Sequence, residues 1–174
     1  MTAPLKLHMT VEGEDFAITC NDTTPRTQAA LRRILPLSLQ LHTPKIAGAH
    51  IYWHAPLIED VEGGIDVLAA PPGAFIYWPV RQFLEITYAP LQAETAAVTV
   101  LGQLDGPVDR VAALAERLRE GQGRRLFAGT LARADGAPAD PAPAPVLPAE
   151  LLTDCTALWR DCPEEIRDLR RSRA

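Results

Sequence analysis

At 174 residues, with 47% hydrophobic and 22% charged side chains, the chain has the composition of an ordinary globular protein and the length of one domain with an appendage. A net charge of -5 provides no basic stripe for phosphates, so nucleic acid is not an expected partner. No apolar run approaches the roughly 20 residues that cross a bilayer, and the first nine residues lack the apolar core of a signal peptide, so a cytoplasmic protein without membrane contact is expected.

Leu5, Leu7 and Met9 alternate with polar residues and are followed by the turn Glu12-Gly13-Glu14-Asp15 and by Phe16, Ile18 and Cys20, which predicts a hairpin. Thr24 as N-cap and Pro25 at the first position open a helix that runs to about Leu35, with Ala30, Leu31, Ile34 and Leu35 forming its apolar stripe. Leu37, Leu39 and Leu41 alternate with Ser38, Gln40 and His42 in a strand, and Ala47 to Ala55 is aromatic and β-branched enough for another. An acidic loop from Pro56 to Gly64 leads to a short strand near Ile65 to Ala69 and a corner at Pro71-Pro72-Gly73.

The runs GAFIYW and FLEITY flank Pro79-Val80-Arg81-Gln82 and predict a central hairpin. Ala96 to Leu101 reads as a buried strand closed by Gly102. Asp105-Gly106-Pro107 caps a helix that buries Val111, Leu114, Ala115 and Leu118, and Arg125 to Thr130 forms a last strand. The barrel domain is expected over 1–133. An Ala/Pro-rich spacer over 134–148 then leads to an amphipathic helical segment over 149–174.

This order fits a mainly β fold, a closed antiparallel barrel with two helices. The segment GAFIYWP followed by FLEITY resembles the Gly-Asp-x-x-Tyr-x-Pro segment of the bacterial cyclophilin-like proteins, with Gly73, Tyr77 and Pro79 at the matching positions and Ala74 in place of the Asp. The stretches AGAHIYWHA, DGPVDRVAALAERL and GRRLFAGT agree in order, so the resemblance spans Leu5 to Leu131. The Phe-His-Arg and Gln-Gly-Gly-Asp stretches of the peptidyl-prolyl isomerases are absent. The resemblance therefore implies the fold, in a branch apart from those enzymes.

A strand places His50, Tyr52 and His54 on one face and Ile51 and Trp53 on the other. At about 3.3 Å per residue the two histidines stand about 13 Å apart, too far to share a metal, so the set reads as a polar groove rather than a metal site. The competing reading is a solvated strand face. Glu85, between Leu84 and Ile86, is expected to be partly desolvated with a raised pKa, which makes it, with His54, a candidate catalytic acid or base. Tyr77 and Arg81 complete the candidate ligand-binding set, Arg81 as a bidentate partner for a carboxylate. Trp53 and Trp78 read as core.

Cys20, Cys155 and Cys162 form neither a disulfide framework nor a zinc pattern. A phosphate-binding glycine loop, a serine nucleophile elbow and a His-Glu-x-x-His motif are also missing, and no cofactor is expected. Three functional readings follow. The first is a groove that binds a small polar or amide-containing molecule or a short peptide. The second is a non-catalytic subunit that forms homo-oligomers through its C-terminal helix, and the third is prolyl isomerisation.

Overall fold

The computed structural model describes residues 4–44, 48–92 and 95–137. The spacer beyond these and the C-terminal helical segment lie outside the described residues. Strands β1 (Lys6–Val11) and β2 (Glu14–Cys20) form the expected hairpin. Its two-residue turn is Glu12-Gly13, both with positive φ (51° and 81°), the geometry that matches the twist of adjoining strands. Leu7, Met9, Val11, Phe16, Ile18 and Cys20 all point inward, as the alternation requires.

Helix α1 (Pro25–Ile34) begins where Pro25 predicts, but Thr24 makes no side-chain cap. Its hydroxyl instead donates to Asn21 Oδ1 at 3.1 Å. The cap comes from the acidic loop: Glu62 accepts the backbone N–H groups of Arg26 and Thr27 at 3.1 and 2.8 Å and the Thr27 hydroxyl at 2.8 Å. Burial pushes the Glu62 carboxyl up, yet the hydrogen bonds from Thr27 and Arg26 outweigh it and hold the group below its usual range. Glu62→Ala is expected to cost about 1 kcal/mol, read as a lower urea midpoint; an unchanged midpoint would show that the helix end has another cap.

Strands β3 (Leu37–Leu41), β4 (His50–His54), β5 (Ile65–Asp66), β6 (Ala74–Trp78), β7 (Phe83–Thr87), β8 (Ala97–Asp105) and β9 (Phe127–Arg133) complete the sheet, with α2 (Asp109–Gly121) between the last two. Every pairing is antiparallel, in the order β3-β9-β1-β2-β8-β6-β7-β4, with β5 attached to β8. The ends meet at one bridge, where His42 and Tyr52 exchange backbone hydrogen bonds of 2.8 and 2.9 Å. The result is a nearly closed antiparallel barrel.

Two expectations near β8 differ from the structure. Gly102 does not close the strand but lies within it, paired with Cys20 of the adjacent β2, at a point where any Cβ would come 2.3 Å from the Thr19 carbonyl oxygen. A bulge in the β6–β8 pairing follows at the same place, between the Phe75–Gly102 and Ile76–Val100 pairs. Asp105 does not cap α2 either. Its carboxylate accepts the Thr19 hydroxyl at 2.7 Å, and the helix starts at Asp109.

The barrel interior takes Leu7, Met9, Ile51, Trp53, Phe75, Tyr77, Leu84, Ile86 and Leu101, with Leu31 of α1 and Leu114 of α2 in the same core. A second, smaller core lies on the outer face of β6, β7 and β8, where Ile76, Trp78, Phe83 and Val98 meet Val67 and Leu91. This outer core positions the candidate site.

Candidate functional site

Parity along β4 places His50, Tyr52 and His54 on the outer face, and the β4–β7 register sets Tyr52 opposite Glu85 and His54 opposite Phe83. His50, Tyr52, His54 and Phe83 wall a cavity of about 370 Å³ together with Trp78, Arg81, Val67, Leu91, Pro44 and Gln92, while Glu85 is not among its lining residues. Rings dominate it. Tyr52 and Phe83 have centroids 5.0 Å apart, Phe83 and Trp78 5.5 Å, and the Arg81 guanidinium lies 4.8 Å above the Trp78 ring. His42 stacks on Tyr52 at 5.3 Å.

Behind this wall, His50 Nε2 lies 3.5 Å from Glu85 Oε2, longer than a formed hydrogen bond of about 2.9 Å. Glu85 is fully buried and His50 nearly so. Burial pushes the Glu85 carboxyl up to about 8 and the His50 imidazole down to about 4; the nearby Arg81 charge lowers both. At neutral pH the pair is therefore a carboxylic acid beside a neutral imidazole.

His50 Nδ1 and both Glu85 carboxyl oxygens have no hydrogen-bond partner among the described residues. The nearby Thr87 is satisfied, donating to the Pro71 carbonyl at 2.7 Å and accepting the Ala74 N–H at 3.0 Å, whereas Trp53 Nε1, on the inner face of β4, is likewise buried without a partner among the described residues. An unpaired buried polar group costs about 1–3 kcal/mol, and such costs concentrate at functional sites. A shift of His50 that closes the 3.5 Å gap to Glu85 and opens its buried Nδ1 to the cavity would let the pair relay a proton. As His50 gives up the proton on one ring nitrogen, Glu85 can replace it on the other, leaving a carboxylate and a neutral imidazole.

The structure gathers His50, Tyr52, His54, Arg81 and Glu85 at one place. Tyr77 is not among them. It faces the barrel interior from the opposite side of β6, where its hydroxyl donates to the Leu57 carbonyl at 2.8 Å and accepts the Glu59 N–H at 3.2 Å. Both tryptophans read as core are buried, Trp53 against Phe75 and Trp78 in the outer core, where it also lines the cavity. Trp78 has the parity of Ile76 and lies opposite Phe83 in the hairpin, a signal present in the sequence. His42 had no such signal, since the strand closure that brings it to Tyr52 is non-local.

Among the described residues there is no cluster of His, Cys, Asp and Glu fit to hold a metal ion, and no helix long and apolar enough to cross a membrane. Cys20 is buried, its thiol pushed up to about 12 chiefly by desolvation, which is unlike an activated nucleophile.

No protein-family model matches the sequence, and no curated protein matches it. Among solved structures, McbB in complex with tryptophan is similar, with a TM-score of 0.64 and 16% identity over 96% of this chain and 60% of the McbB chain. The solution structure of the hypothetical protein AF2241 from Archaeoglobus fulgidus has a TM-score of 0.57 and 16% identity, over 77% of this chain and 98% of its own. Both share the fold of this chain. The chain thus spans about 60% of the length of McbB.

Proposed function

We propose that the protein binds a small planar molecule, aromatic or amide-bearing, against Trp78, Tyr52 and Phe83, and exchanges a proton with it through His50 and Glu85. The observation that carries this reading is the buried His50–Glu85 pair with unpartnered polar atoms beside an aromatic-walled cavity. Arg81 and His54 bring polar contacts to the same cavity. The tryptophan bound to McbB supports an aromatic ligand as the first probe. The barrel is further assigned to the cyclophilin-like kind on Gly73, Tyr77 and Pro79, in a branch where prolyl isomerisation has no supporting motif.

Calorimetric titration with L-tryptophan and with indole tests the reading. Trp78→Ala is expected to weaken binding of either probe at least about tenfold. Binding by neither probe, or an affinity that Trp78→Ala leaves unchanged, would contradict it.

A further inference from the structure

A second cavity, of about 420 Å³, shares Pro44 and Gln92 with the first. The shared residues make the two cavities neighbours. The backbone places them close together: Tyr88 N–H donates to the Ala49 carbonyl at 2.8 Å, next to the His50–Thr87 pair of the β4–β7 ladder. Room comes from small residues. Gly48, at φ +114°, sits where a Cβ would lie 3.2 Å from the Gln92 nitrogen and 3.3 Å from Leu91 Cδ2.

Among the described residues, the polar side chains that line this compartment are Tyr88, Arg119 and Gln92. Arg119 Nη1 donates to Tyr88 Oη at 3.0 Å, while its Nε and Nη2 donate to Glu116 Oε2. Three of the guanidinium's five N–H donors are thus used and two are unspent. Because the Tyr88 oxygen accepts from Arg119, the phenol proton remains to be donated, and no acceptor for it occurs among the described residues. Glu116 does not line the cavity, so among the described residues Arg119 is its one charged wall.

We infer that this compartment binds the carboxylate of the molecule whose planar part occupies the first cavity, through Arg119 and the Tyr88 hydroxyl. This rests on the reading of the first cavity given above. The substrate class is then a planar ring system with a carboxylate on a short tether that passes between Pro44 and Gln92. Arg81, beside Trp78 in the first cavity, is the rival anchor for that carboxylate.

The test compares indole, 3-indolepropionate and 3-indolepropionamide on the full chain by calorimetry. The acid is expected to bind about threefold to fivefold more tightly than the amide, the range of a partly exposed ion pair. Arg119→Gln should erase that preference while leaving indole affinity unchanged, and Tyr88→Phe should reduce it. An acid preference that survives Arg119→Gln, that disappears only in Arg81→Gln, or that is absent from the native protein would overturn the second subsite while leaving the first cavity standing. Failure of all three probes to bind would overturn both.

Discussion

Raising the pH from about 6.5 to 8 is expected to cost the protein on the order of 2 kcal/mol of stability, a loss that Glu85→Gln should abolish. In the unfolded chain the Glu85 carboxyl ionises near its ordinary 4.5, whereas in the fold it keeps its proton until about pH 8. The stability it contributes is complete below 4.5 and is lost as pH rises through 8. His50 has the opposite sign: its ordinary value is 6.5 and its folded value about 4, so its contribution is complete above 6.5 and lost as pH falls.

Between 4.5 and 6.5 the two cancel, because the unfolded chain carries the proton on His50 and the folded chain carries it on Glu85. Above 6.5 only the folded chain holds a proton, and stability falls by up to ~1.4 kcal/mol per pH unit. Urea denaturation at the two pH values measures this as a difference between native and Glu85→Gln proteins, which cancels the other titrating groups. Parallel pH profiles for the two proteins would contradict the neutral pair.

Tyr77→Phe is expected to cost about 1–3 kcal/mol and to leave probe affinity unchanged. Its hydroxyl ties down the loop after β4 by accepting from Glu59 and donating to Leu57, and its removal strands a buried carbonyl. Chemical denaturation together with calorimetry separates the outcomes. A stable variant with weakened binding would return Tyr77 to the ligand site that its place in the hairpin first implied.

Tyr77 also shows how far the sequence could be read. Period-two alternation assigned the two faces of β4, because Ile51 and Trp53 differ so clearly in polarity from His50 and His54. In β6 every residue is buried, since that strand has a core on both sides, so apolarity could not tell Tyr77 on the inner face from Trp78 on the outer one. The hairpin turn at Glu12-Gly13 and the start of α1 at Pro25 were local and therefore legible. The cap of α1 was not, because it comes from Glu62, thirty-five residues from Thr27 along the chain.

Glu85 was expected to be partly desolvated, yet it is completely buried. Val67 and Leu91 belong to the outer core on that face of the sheet, Val67 from a single 3-10 turn (Val67–Ala69) where the sequence predicts a strand, and Leu91 from the connection after β7. His50 is buried on that face too, which makes it a neutral imidazole rather than a solvated histidine on a wet strand face.

The most direct measurement is a carbon-detected NMR titration of the Glu85 carboxyl and the His50 ring in the folded protein. Glu85 is predicted to titrate near pH 8 and His50 to stay neutral down to about pH 4. A Glu85 carboxyl that titrates near 4.5 beside a His50 ring that titrates near 6.5 would contradict the buried neutral pair and the proton relay built on it.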